Sequence, residues 1–427
     1  LPATIESEVR SYCRSWPTTF AHARGSRLVD EDGHEYLDFF SGAGALNYGH
    51  NPPELKRELI SYLERDGVAH SLDMATVAKQ ELLRTFQQLI LEPRGLDYKV
   101  QFAGPTGTNS VEAALKLARL VTGRQGIVAF TGAFHGVSVG SLAATANGYM
   151  RSAAGVPLHH TLRLPYDSWG SVSGLDLLAG LLDDTSSGVS LPAAVIVETV
   201  QGEGGIRCAS TEWLLRLQSI CARHDILLIV DDVQMGCGRT GPFFSFETSG
   251  IVPDIVCLSK SISGYGLPMA LTLMRPRLDR WGPGQHNGTF RGLNPAFVTA
   301  TAALRTFWSD DKLEKSTALA GDLVAERLEA LRSVNASLQL RVRGRGLVWG
   351  LVFQEPAHAA HVARAAFDRR LLVERSGSQD EVVKLMPPLT ITRADLAEGL
   401  RRLAEAVATV QEQVTSQPEM VTSGLPQ

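Results

Sequence analysis

An α/β fold, in which a mostly parallel sheet is flanked by helices and joined to a smaller α+β domain, is predicted by three observations. Between about residues 99 and 275 short apolar runs alternate with amphipathic helical stretches, the pattern of a parallel sheet covered on both faces. From about 296 onward the pattern changes to a long helical stretch, a strand-turn-strand segment and a closing amphipathic helix. The 427 residues suit one large α/β catalytic domain with a smaller appendage.

The elements follow in order. The Gly-punctuated opening DGHEYLDFFSGAGALNYGHNPPE, from Asp32 to Glu54, reads as short strands and loops in which glycines let the backbone approach a ligand. Helical periodicity follows near 54–65 and 76–91. Then come the strand KVQFAG, the helix SVEAALKLARLV, the strands IVAFTG and AAVIVETV, the helix TEWLLRLQSICARHD, and the strands ILLIVDD, DIVCLSK and ALTLMRP. Residues 296–334 are helical, LRVRGRGLVWGLVF is strand-turn-strand, and RADLAEGLRRLAEAVATVQEQV closes the fold. The expected division is an N-terminal segment 1–62 packing with the small domain, a large domain 63–305, a small domain 306–414 and a disordered polar tail 415–427.

Composition narrows the function. With 41 Lys+Arg against 45 Asp+Glu the net charge is −4, too little of either sign for a nucleic-acid or polybasic membrane binder. The five cysteines, Cys13, Cys208, Cys221, Cys237 and Cys257, have no CxxC spacing and read as reduced thiols, with no metal site. The segment LPATIESEVRSYCRSW carries charges where a signal peptide needs an apolar stretch, and ILLIV at 226–230 is far short of a membrane span; a cytoplasmic protein is expected.

Three constellations carry candidate chemistry. In GPTGTNSVEAALKLAR a Gly-rich turn runs into a helix, so free N–H groups, the helix dipole and the hydroxyls of Thr106 and Thr108 beside Gly107 suit a phosphate. A capped helix after a tight turn accounts equally well for that motif alone, and the Gly-Lys-Ser/Thr ending of a nucleotide P-loop is missing. In ILLIVDDVQMGCGRTGPF an apolar strand ends in Asp231 and Asp232, where such sheets bind ligands and where acids also serve as ordinary turn caps. In PDIVCLSKSISGYGLP a lone Lys260 follows another strand; it reads either as a solvated loop lysine or as a Schiff-base nucleophile in a cleft. Together the phosphate cradle, the carboxylate and the lysine are the three holds that pyridoxal phosphate requires, and Phe134 in FTGAFHG offers an aromatic face.

With these motifs in place the chain resembles the class III, fold type I, pyridoxal-phosphate aminotransferases from SGAGALNYGH to the final helix. The resemblance implies roles residue by residue. Lys260 matches the cofactor-bonding, proton-shuttling lysine, Asp231 the partner of the ring nitrogen, Val233 the apolar contact on one ring face and Gln234 the contact to the ring hydroxyl. Thr106, Gly107 and Thr108 match the phosphate loop, and Phe134 with His135 the aromatic-His pair on the opposite face. Thr289 in NGTFRG resembles the threonine that reaches the phosphate of the neighbouring subunit, which implies a homodimer or higher oligomer with shared sites. Glu198 and Glu203 match the acidic segment; Glu203 occupies the switch position that in relatives pairs with an arginine between half-reactions.

The departures from the family pattern concern substrate. Ornithine and 4-aminobutyrate aminotransferases carry an arginine where this chain has Val137, the arginine partner of the switch glutamate is replaced by Lys384, and Asn109 stands where many relatives have a glutamate. A lysine keeps the charge and loses the bidentate fork. Asn47 and Tyr48 align with the substrate-side loop and are expected as pocket walls, whereas His50, His159 and His160 read as turn and surface residues. Strings such as FFSGAGALNYGHN, DGVAHSLDMATVAK and LSKSISGYGLPMALTL resemble the ectoine-pathway members, implying transfer of the amino group of L-glutamate to the aldehyde of L-aspartate 4-semialdehyde. Other ω-aminotransferase substrates, and a non-catalytic pyridoxal-phosphate sensor, are the rival readings; the chain lacks the basic patch or helix-turn-helix extension that would favour the sensor.

Overall fold

The computed structural model describes residues 5–416 and centres on a seven-stranded sheet. Its strands lie side by side in the order Lys99–Gly104, Ala270–Met274, Ile255–Leu258, Leu227–Asp231, Ala194–Val197, Ile127–Phe130 and Thr161–Leu164. Only Ala270–Met274 runs against the other six. Every residue of the strands Ile127–Phe130, Ala194–Val197, Leu227–Asp231, Ile255–Leu258 and Ala270–Met274 is buried. That is why these segments read as continuous apolar runs: helices such as Gly107–Thr122 cover the sheet, so neither strand face needs to be polar. Each buried Val, Leu or Ile contributes about 1.5–3 kcal/mol relative to leaving it exposed.

The C-terminal part is a four-stranded sheet, Arg341–Arg345, Val348–Val352, Val382–Leu385 and Glu374–Ser376, packed with the helices Lys312–Val334, Pro356–Asp368 and Arg393–Ser416. A third sheet joins the two ends of the chain. Strands Phe20–Arg24, Arg27–Asp30 and Glu35–Asp38 form an antiparallel meander, and the last of them pairs in parallel with Leu371–Leu372, so that Leu37 lies opposite Leu371 and Asp38 opposite Leu372. The closing helix runs to Ser416, two residues into the segment expected as a disordered tail; residues 417–427 lie outside the described residues. The long helical region after residue 296 is two helices, Asn294–Phe307 and Lys312–Val334, broken at the SDD turn 309–311. Among the described residues no helix is long and apolar enough to cross a membrane, and all five cysteines are free.

The junction of the chain ends is tight. Phe39 is fully buried, its N–H donates to the Leu372 carbonyl at 3.0 Å and its own carbonyl accepts from Met386 N at 2.8 Å. Gly399 on the closing helix packs so close that a Cβ there would overlap the Phe39 ring. Gly399→Ala is therefore expected to destabilise the protein by about 1–3 kcal/mol, despite alanine's better helix propensity, because overpacking outweighs the propensity gain of roughly 1 kcal/mol. Urea unfolding, reading a lower midpoint at unchanged slope, checks this.

Candidate active site

The candidate residues converge at the carboxyl ends of the parallel strands, where open α/β sheets bind ligands. The first loop follows Lys99–Gly104 and starts the helix Gly107–Thr122, whose first N–H groups have no intrahelical acceptor. The Thr108 hydroxyl is fixed at 2.6 Å from both Ser138 Oγ and Ser141 Oγ, and Glu112 Oε1 accepts from Ser138 Oγ and Ser141 N. Thr106 is exposed, and its hydroxyl and N–H donate to Asn109 Oδ1 at 2.8 and 3.1 Å, which explains Asn109: it caps the helix start. A Cβ at Gly107 would stand 2.7 Å from Val233 Cγ1, so a larger residue there would have to displace that side chain.

Asp231 ends the strand Leu227–Asp231. One carboxylate oxygen lies 2.7 Å from His135 Nδ1 and the other accepts from Val233 N at 3.2 Å. His135 is itself held by its N–H donating to Thr145 Oγ1 at 2.9 Å. Its neighbour Phe134 donates its N–H to Glu198 Oε1 at 2.9 Å; burial, then the nearby Asp231 charge, push the Glu198 carboxyl well above the ordinary range. Asp232 turns the other way: its Oδ2 accepts from Ser245 N at 3.0 Å, and burial raises its pKa to about 7.

Lys260 follows Ile255–Leu258 and has φ +51°, a left-handed conformation that costs a non-glycine residue about 1–2 kcal/mol. Its Nζ donates to the Ala43 carbonyl at 2.7 Å, which Gln234 Nε2 also reaches at 3.1 Å. That carbonyl is delivered by four successive positive-φ residues, Ser41 to Gly44, pinned by Asp38 Oδ1 accepting from the N–H groups of Phe40 and Ser41. The glycine-rich opening thus brings backbone to the lysine, at Ala43 as well as at its glycines. Desolvation lowers the Lys260 pKa, Glu203 opposes this and Lys384 adds to it.

Behind Lys260 lies a charged cluster. Glu203 Oε1 accepts from Gln234 Nε2 at 3.1 Å and from Lys384 Nζ at 2.7 Å, and Lys384 is also ion-paired with Glu374 Oε2 at 2.8 Å. Burial works against each charge here. The two carboxylates nevertheless keep the Lys384 ammonium charged to higher pH than usual, and Lys384 and Lys260 together hold Glu203 below the ordinary carboxylate range.

Gly107, Thr108, Phe134, His135, Glu198, Glu203, Asp231, Val233, Gln234 and Lys260 line one cavity. The remaining expected residues are elsewhere. Asn47 is fully buried, donating to the carbonyls of Gly236 and Cys237 and accepting from Arg239 Nη2, and Tyr48 stacks on Phe307 with its hydroxyl accepting from Trp308 Nε1. In this chain they brace the loop and do not wall the cavity. Lys384 stands behind Glu203, Val137 is exposed, and Thr289 lies on an exposed turn outside the cavity. Glu374 and Tyr12, whose hydroxyl donates to Glu374 Oε1 at 2.8 Å, escaped the sequence reading. Only the pairing of Glu374 with Lys384 across two antiparallel strands brings them in.

An anion cradle at a helix start, an aromatic and an apolar wall, a buried carboxylate and a primary amine in one cavity are the donor set that a phosphorylated pyridine aldehyde needs, so the residues present fit pyridoxal phosphate. Comparison with known proteins agrees. Residues 12–407 match the model of the class III aminotransferases. The diaminobutyrate–2-oxoglutarate transaminase of Streptomyces anulatus is 61% identical over 95% of this chain and 96% of its own length, and that of Virgibacillus pantothenticus 56% over 92% and 95%. Among solved structures, an S-selective transaminase from Arthrobacter sp. superposes with TM-score 0.85 at 21% identity, covering 96% of this chain and 97% of the other. The ornithine aminotransferase of Toxoplasma gondii, with pyridoxal phosphate at partial occupancy in its own active site, gives TM-score 0.81 at 23% identity over 96% and 94%. Sequence, fold and cavity therefore converge, and the chain belongs to the class III aminotransferases, a family that works through pyridoxal 5′-phosphate.

Proposed function

We propose that this chain catalyses the diaminobutyrate–2-oxoglutarate transaminase reaction, moving the amino group of L-glutamate to L-aspartate 4-semialdehyde to give L-2,4-diaminobutyrate and 2-oxoglutarate. The observation that carries the reading is the 61% identity, over nearly the full length of both chains, to relatives bearing that activity. Pyridoxal phosphate, when bound, supplies an aldehyde that captures amines and a protonated ring that accepts the electron pair left behind by a proton. The chain supplies the rest.

On this reading the helix start at Gly107 and Thr108, with Thr106 shaping it, holds the phosphate, and Phe134 and Val233 hold the ring. Asp231, oriented by His135, would keep the ring nitrogen protonated, and Gln234 would meet the ring hydroxyl. The Lys260 amine, its pKa lowered by desolvation, would take the α-proton of glutamate and carry it beside the bound cofactor. Glu203 and Lys384 sort the substrate carboxylates. We further assign 63–305 as the large domain and 306–414, with 1–62 packed on it, as the small one. The working unit is a cytoplasmic homodimer in which Thr289, on its exposed turn, reaches the neighbouring site.

Single half-reactions test the substrate. Mixed separately with the holoenzyme, diaminobutyrate and glutamate are expected to abolish its visible absorbance rapidly, with ornithine and 4-aminobutyrate at least about tenfold slower. Steady-state double-reciprocal lines should be parallel, as a ping-pong cycle demands. Equal speed for ornithine or 4-aminobutyrate removes the named substrate; no reaction with any amine while the cofactor stays bound removes the catalytic reading.

A further inference from the structure

Resting on that reading, the two amino donors differ at the reacting carbon. Glutamate carries a carboxylate there, whereas C4 of diaminobutyrate carries hydrogen. The site must offer a cation to one and withhold it from the other, and Lys384 is wholly buried behind Glu203, so a carboxylate reaches it only when Glu203 moves. A lysine in that place has a weakness that an arginine lacks. Its three donors have no planar fork to fix their directions, so a lysine held by Glu203 alone would follow that carboxylate when it moves, and an ammonium left unpaired in the interior is strongly disfavoured.

The fold supplies what the side chain lacks. Glu374 and Lys384 lie directly opposite one another on the antiparallel strands Glu374–Ser376 and Val382–Leu385, so their backbones fix the pair. Glu374 Oε2 meets Lys384 Nζ at 2.8 Å, while its Oε1 accepts from the Tyr12 hydroxyl at 2.8 Å, which settles which oxygen faces the ammonium. Glu203 sits differently. It lies on the turn between the short strands Val200–Gln201 and Arg207–Cys208, its side chain is 30% exposed against 7% for Glu374, and it borders both the Lys260 cavity and an outer cavity lined by Arg163, Arg207 and Arg375. One carboxylate is built into a sheet and the other stands at a doorway.

We propose that Glu374, steadied by Tyr12, is a positioning residue that anchors Lys384 so that Glu203 can release it to the carboxylate of glutamate or 2-oxoglutarate. Glu203 is the moving partner and Glu374 the stationary one. Without Glu374 the ammonium follows Glu203, and only the half-reaction that needs Lys384 uncovered suffers.

The test is single-turnover kinetics of the Glu374→Gln holoenzyme, which keeps shape and an acceptor for Tyr12, with glutamate and diaminobutyrate separately. The unreactive dicarboxylate glutarate, titrated calorimetrically, gives a reading independent of turnover. The expected result is an apparent Kd for glutamate and a Kd for glutarate each weakened about tenfold, with the limiting rate and the diaminobutyrate half-reaction within about twofold of the parent. Tyr12→Phe, which removes one hydroxyl from a half-exposed ring, should shift the same two constants about two- to threefold and decides the matter should Glu374→Gln fail to fold. Equal losses in both half-reactions, or none, overturn the anchor. A parent enzyme inert to both donors overturns the function proposed above instead.

Discussion

Lys260→Ala is expected to lower transamination turnover by at least about four orders of magnitude, combining the loss of a covalent hold with that of the general base. The position has no understudy. Among the residues lining the cavity Lys260 is the sole primary amine, and Lys384, the nearest alternative, is covered by Glu203 and committed to two carboxylates. The strain at φ +51° points the same way: a bulky residue held in a left-handed conformation persists because its surroundings impose it, here through the Ala43 carbonyl and the Ser261 hydroxyl, which donates to the Gly44 carbonyl at 2.8 Å. Alanine pays a similar backbone penalty, so the melting temperature should change little and a dead enzyme will not be an unfolded one. The measurement is 2-oxoglutarate release from glutamate at saturating cofactor, with circular dichroism as the fold control. Turnover within tenfold of the parent sinks the role given to Lys260.

How much of this was legible beforehand follows from where each interaction is encoded. The sheet was readable because its central strands are buried on both faces, which writes Val, Ile and Leu in unbroken runs such as ILLIV. Asp231, Lys260 and the Gly107 turn were readable because each sits just past such a run, where topology alone brings side chains together. The strands Leu371–Leu372 and Glu374–Ser376 are too short to show any periodicity, and their partners lie far away in sequence, at Leu37 and Lys384. Glu374 and Tyr12 were hidden for that reason. Asn47 and Tyr48 show the converse case: loop position suggests pocket walls, whereas the packing puts Arg239 and Trp308 on their polar atoms. The bare loop pattern could not say which way a side chain faces.

Facing direction is also what separates the two aspartates at the end of Leu227–Asp231, and a pair of isosteric variants reads it out. Successive side chains on a strand point to opposite sides. Asp231 faces the cavity with His135 Nδ1 at 2.7 Å, whereas Asp232 faces away and accepts from Ser245 N. Asp231→Asn keeps the volume and an oxygen for the Val233 N–H, but removes the negative charge that would keep a ring nitrogen protonated. A preorganised charge of this kind, aimed at a developing one, is expected to cost about a thousandfold in turnover when lost. Asp232→Asn should leave turnover within about threefold, since that side chain touches the fold alone. Its effect belongs to stability instead. An acid whose folded pKa of about 7 stands above its unfolded value near 4 contributes stability that is complete below the unfolded value and is lost as pH rises through the folded one. The Asp232→Asn protein, with nothing to ionise there, should therefore gain in melting temperature relative to the parent as pH rises from about 4 to about 7, and keep that gain above. Were the turnover losses exchanged between the two variants, the acid that serves the cofactor would be Asp232, and the orientation of the whole site would have to be redrawn.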